Sequence, residues 1–256
     1  MRNRIVWAVG VAVALQAAAA TAQDLAFVAC PIVRDTRTVP CWLTEYQGET
    51  YYLGIQTDVS AEFNPPSLGH RILVEGKVSD EPRICGGLVL KPVTVSVFAE
   101  RADDCNTMLP SDDRLQLPFE PPRPPGPSKG RLAYDNAPPP MPAPTPPFRA
   151  RNFDVPYEFD GRVGFKHPRF IQAIVDYANL VHAARIEIVG YRAATRLSDG
   201  QLLSEAAGIG ERRARQIEEL IRSTGLTGVQ YATRWEDAAV TGGPDRRRVT
   251  VNVIPR

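Results

Sequence analysis

The chain has 256 residues, with 30 Lys and Arg against 29 Asp and Glu, for a formal net charge of +1. So even a balance gives no electrostatic reason to expect a nucleic-acid partner or an acidic substrate. Hydrophobic residues at 43% suffice for a core, the length suits one large or two small domains, and the 24 prolines are about double the usual share.

Arg2 and Arg4 precede an apolar run from Ile5 to Ala20, and Ala20-Thr21-Ala22 offers small residues where a signal peptidase reads. Residues 1–22 are therefore expected to be a secretory signal peptide, cleaved before Gln23. The run is shorter than the ~20 residues of a membrane span. Lipidation at Cys30, after Phe27-Val28-Ala29, is the alternative, opposed by Asp24 and by the distance from the apolar run. No later stretch is apolar enough to span a membrane, so the mature chain is expected to have no transmembrane segment.

Export sets how the cysteines read. Cys30, Cys41, Cys85 and Cys105 contain no Cys-x-x-Cys pair, and His70 is the one histidine near them, so no metal site is expected. Two disulfides in an oxidising compartment fit better, with three connectivities open.

Residues 23–117 read as an all-β domain. Trp42–Tyr46 and Thr50–Ile55 bracket Gln47-Gly48-Glu49 as a hairpin. His70–Val78 alternates, with Ile72 and Val74 against Leu73 and Glu75. Leu88–Phe98 sets Val93, Val95 and Val97 on one face, with Pro92 suited to an edge or bulge. Several short strands interrupted by glycine suggest a small twisted barrel or sandwich. The run Gly69 to Gly76 followed by Leu88-Val89-Leu90 resembles the strand pattern of an OB-type barrel.

Residues 118–148 hold thirteen of the 24 prolines and read as an extended spacer. Residues 149–256 form the second domain. Phe153–Phe159 alternates as a strand, and Phe170, Ile171, Ile174, Val175, Ala178 and Val181 recur at helical spacing behind Pro168. Ile186–Val189 reads as a strand running into Gly190 and a polar loop. Ser198-Asp199-Gly200-Gln201 fits a capping box opening a helical segment. A further helix turns Ala214, Ile217, Leu220 and Ile221 inward and ends at Gly225. Val229, Tyr231, Thr233 and Trp235 alternate, and Arg248–Ile254 forms the last strand. The fold class is α+β, a β-α-β-α-β-β sandwich preceded by the disulfide-bonded all-β domain.

From residue 153 to 255 the chain resembles the OmpA-like C-terminal domain family of outer-membrane protein A, peptidoglycan-associated lipoprotein and flagellar motor stators. The resemblance rests on Phe153–Asp160 as opening strand, the strand ending at Gly190, the Arg213-Ala214 helix, and Arg247-Arg248-Val249. The family binds peptidoglycan non-covalently through the diaminopimelate of the stem peptide. An aspartate after Gly-His-Thr holds its ammonium, and a helix arginine in Leu-Ser-x-x-Arg-Ala grips its carboxylate.

The resemblance puts Arg213 at the carboxylate-gripping position, aligns Gly190-Tyr191-Arg192-Ala193 with Gly-His-Thr-Asp, and sets Arg247 beside the last strand as in relatives. The ligand-binding residues it implies are Arg213, Gly190, Tyr191, Arg192 and Arg247. Ala193 stands where the family has its carboxylate, and the connection to Arg213 is longer than in the family. Asp199 or Glu205 could supply the anion, or Arg213 could belong to a solvated helix face laced by Glu211–Arg215 and Glu218–Arg222 pairs. Aspartate restored at 193 is expected to create binding.

The function implied is that of an exported cell-envelope protein, periplasmic or outer-membrane associated. Its OmpA-like domain would bind peptidoglycan, while the N-terminal domain meets an envelope protein. The alternative is the same fold kept for a structural or protein–protein role without peptidoglycan. No nucleophile elbow, metal cluster or Cys/His pairing appears, so neither an enzyme nor a cofactor is expected.

Overall fold

The computed structural model describes residues 24–55, 66–117, 146–161 and 169–256. The expected signal peptide and nearly all of the proline-rich spacer lie outside these residues, as does Pro168. Among the described residues the architecture is α+β, with two sheets, two α-helices and one short 3-10 turn.

The first sheet holds β1 (Asp24–Ala29), β2 (Pro31–Thr36), β3 (Cys41–Tyr46), β4 (Glu49–Ile55), β5 (His70–Val78), β6 (Leu88–Arg101) and β7 (Thr107–Asp112). Only Cys30 separates β1 from β2, yet β1 pairs with β5 while β2 pairs with β3. Between them the ladder runs β3–β4 antiparallel, β4–β6 parallel and β6–β5 antiparallel, so it returns to the bent strand where it began. The interior is filled by Phe27, Ile72, Val74, Leu90 and Val95. Gln47 and Gly48 both take positive φ (51° and 79°), the pair a two-residue hairpin requires. Pro92 falls at the register shift of β6 against β5, as a residue without an N–H must. Disulfides join Cys30 to Cys105 and Cys41 to Cys85.

The second sheet comprises β8 (Arg151–Pro156), β9 (Arg185–Arg196), β10 (Leu202–Ser204), β11 (Gln230–Thr241) and β12 (Arg248–Ile254). Strand β9 is central: it pairs antiparallel with β12 and β10 and parallel with β11, and β12 pairs with β8. Helices α1 (Arg169–Leu180) and α2 (Ile209–Ser223) pack on this sheet. The core joins Ile174 and Ala178 of α1, Ile217 and Ile221 of α2, Ile186 and Ile188 of β9, and Val249, Val251 and Val253 of β12. None of these helices is long and apolar enough to cross a membrane.

Two expectations need correction. Tyr191–Arg196 is not a loop but the second half of β9. The Ser198–Gln201 stretch opens no helix; it is a tight turn into β10. Gly200 sits at φ 89°, and Gln201 donates its N–H to Asp199 Oδ1 at 2.9 Å, an Asx turn rather than a helix cap. The Ser198 hydroxyl is also engaged elsewhere, accepting the Ala26 N–H of β1 at 2.9 Å.

Candidate functional site

Strand β9 and the first turn of α2 meet at two glycines. A Cβ on Gly190 would stand 2.0 Å from the Gly210 carbonyl oxygen, so this strand–helix contact is possible only without a side chain there. The close approach aims Arg213, one turn along α2, back beneath β9 at the end of the segment following β8.

Arg213 is completely buried. Its Nη2 donates to Glu205 Oε1 at 2.6 Å and its Nη1 to Glu205 Oε2 at 3.1 Å, the bidentate fork. The remaining donors reach carbonyls: Nε to Gly161 at 3.2 Å, Nη1 to Tyr191 at 3.4 Å and Nη2 to Glu158 at 2.9 Å. These contacts occupy all five guanidinium donors. Glu205 is equally buried and equally saturated. Oε2 accepts the Ala193 N–H at 2.8 Å and Oε1 the Asp160 N–H at 3.0 Å, which with the fork makes four bonds.

Around this pair, the Arg213 cation lies 4.7 Å from the centre of the Tyr157 ring. Burial pushes the Tyr157 phenol well above its ordinary range, against the pull of that cation. Asp160 accepts the Ala206 N–H at 2.6 Å, bracing the segment that carries Glu205. Burial raises the Asp160 carboxyl from its ordinary 3.8; the Ala206 N–H opposes this and the Glu205 charge adds to it.

Of the residues named from the sequence, Gly190, Tyr191, Arg192 and Arg213 come together. Gly190 provides the close approach and Tyr191 a carbonyl. Arg192 donates to the Glu205 carbonyl at 2.7 Å and the Asp237 carbonyl at 3.2 Å. Glu205, not Asp199, is the carboxylate on Arg213. Arg247 belongs to a different cluster. It is wholly buried and bonded to Glu75 of β5, through both terminal guanidinium nitrogens, and to Thr195 Oγ1 at 3.1 Å. Cys30, Asp104 and Cys105 lie close enough to hold a metal ion, but both sulfurs are committed to the disulfide.

No protein-family model matches the sequence, and no curated protein does. Among solved structures the chain is similar to the OmpA-like domain of FopA1 from Francisella tularensis subsp. tularensis SCHU S4. Identity is 14% and the TM-score 0.30, over 41% of this chain and 73% of that one. So slight a likeness carries no argument about what the chain does.

The participants that sequence reasoning missed are Asp160, Glu75 and Thr195. Glu75 carried a signal, being a charge directly after the apolar run Ile72-Leu73-Val74. Asp160 and Thr195 carried none.

Proposed function

We propose that the chain is an exported cell-envelope protein, periplasmic or held near the outer membrane. Its C-terminal OmpA-like unit serves a structural or protein–protein role, not peptidoglycan binding through Arg213. The N-terminal unit is a disulfide-stapled barrel of OB type. Both disulfides suit an oxidising compartment, and the ring of strands that returns to β1–β2 suits the barrel.

The observation that carries this reading is the Glu205–Arg213 pair. A diaminopimelate carboxylate needs free guanidinium donors, and all five on Arg213 are in use. Glu205 already fills the anion's place. A ligand carboxylate would have to break the two Arg213–Glu205 hydrogen bonds and leave Glu205 without its counter-charge in a buried site, a penalty of several kcal/mol. No ammonium site accompanies it either, because Ala193 offers no charge and Glu205 is neutralised.

Purified sacculi test this directly. Incubated at low salt beside an authentic OmpA-like domain, the parent protein is expected in the supernatant while the control sediments. Sedimentation of the parent, reversed by free diaminopimelate, would overturn the proposal and restore peptidoglycan as the ligand.

A further inference from the structure

The N-terminal sheet meets the C-terminal one through contacts of several kinds. Along β1, Ala26 donates its N–H to Ser198 Oγ at 2.9 Å, and Ser198 returns its own N–H to the Ala26 carbonyl at 2.7 Å. On β6, Ser96 Oγ accepts the Phe159 N–H at 2.9 Å, and the Phe98 ring meets the Phe159 ring edge-on at 5.8 Å. Between these points Glu75 reaches out of β5. It takes both ends of the Arg247 guanidinium and the Thr195 hydroxyl, the latter at 3.0 Å. The side chains of Arg247 and Glu75 are 0% and 7% exposed. A cleft of about 550 Å³ lies alongside, walled by Leu25 and Pro92 from one unit and Leu197 and Pro244 from the other.

We infer that the partner of the barrel is the C-terminal unit of the same chain, the two forming one particle in solution rather than independent domains on a spacer. The chemistry of the surface favours a specific, fixed register. Neither Glu75 nor Arg247 has a charged partner within its own unit among the described contacts, so each is complemented only when the units are docked. A buried ion pair of this kind contributes more to geometry than to net affinity. The affinity comes instead from the aromatic contact and the main-chain bonds.

The inference is independent of whether peptidoglycan is bound at Arg213, because it concerns other residues. Its test uses the full chain carrying a sequence-specific protease site after Gly130. Both disulfides lie on the N-terminal side of that cut, so nothing covalent joins the halves once it is made. The cut protein is expected to elute from gel filtration as one particle at the volume of the uncut chain. Separate elution of two halves at tens of micromolar would overturn the inference. Glu75→Arg, which sets two cations face to face, should make the cut halves separate, and the exchange Glu75→Arg with Arg247→Glu should bring them back together. Co-elution of the cut Glu75→Arg protein would show that this surface is not the one in use, and would likewise overturn it.

Discussion

Glu205→Ala probes the closed site most sharply. It removes the carboxylate paired with an arginine that has no solvent exposure. Removing one member of a buried pair costs about 3–5 kcal/mol, because the remaining charge is left uncompensated. The change also strips the acceptor from the Ala193 and Asp160 N–H groups, at roughly 1–3 kcal/mol for each that stays dry. Even the lower figure is a large part of the ~5–15 kcal/mol that holds a typical domain folded. At a urea slope of about 2 kcal/mol/M, a 4 kcal/mol loss moves the midpoint by roughly 2 M. The double variant Glu205→Leu/Arg213→Met removes both charges and should recover much of the loss. Recovery would be incomplete, since the two N–H groups still lack an acceptor. Urea denaturation of the parent, Glu205→Leu, Arg213→Met and the double variant forms a complete cycle, with Glu205→Ala measured beside it. A Glu205→Ala midpoint within about 1 kcal/mol of the parent would refute the closed site, since water must then reach Arg213.

Gly190→Ala should destabilise by about 1–3 kcal/mol or more through overpacking, because its Cβ meets the Gly210 carbonyl at 2.0 Å; an unchanged denaturation midpoint would mean that β9 and α2 stand further apart. Ala193→Asp, which the sequence alone suggests as restoring a ligand site, should lower stability by several kcal/mol without creating retention on sacculi. Residue 193 is fully buried and its N–H already binds Glu205, so a second carboxylate would sit beside the first. Gain of sacculus binding by a stably folded Ala193→Asp protein would contradict this. Asp160 governs a pH dependence. Its folded-state pKa is raised, chiefly by burial, so the folded chain holds this proton to higher pH than the unfolded chain. Its ionisation therefore costs stability as pH rises from about 3.8 through the raised value, and that stability returns as pH falls back. Asp160→Asn keeps an acceptor for Ala206 and should flatten this part of the stability–pH curve; parallel curves for parent and variant would exclude the assignment.

Much of the fold was legible because local chemistry and tertiary structure agreed. Gln47-Gly48 supplied two left-handed residues to a hairpin, Gly225 followed the end of α2, and the alternating valines of β12 matched one buried face. Where they disagreed, a distant partner had claimed the local signal. Ser198 looks like a helix cap, but its hydroxyl is held by Ala26, 172 residues away, and its neighbour Asp199 closes a turn. Tyr191–Arg196 looks like a loop because it is polar. It is nonetheless strand: Arg192 bonds across to the Glu205 carbonyl and Thr195 is buried against Glu75. Strands β2 and β7 escaped notice because Pro31 opens one and Pro110 lies inside the other.

The site followed the same logic, one step removed. A buried guanidinium must have an anion, so Arg213 had two physical outcomes: exposure, or a carboxylate from elsewhere in the chain. The residues between β9 and α2 decide between them. They form the turn and β10, and pairing of Leu202–Ser204 with Ala194–Arg196 delivers Glu205 opposite the Ala193 N–H. The anion of the pair thus comes from the segment between β9 and α2, pointed at the arginine from within the protein.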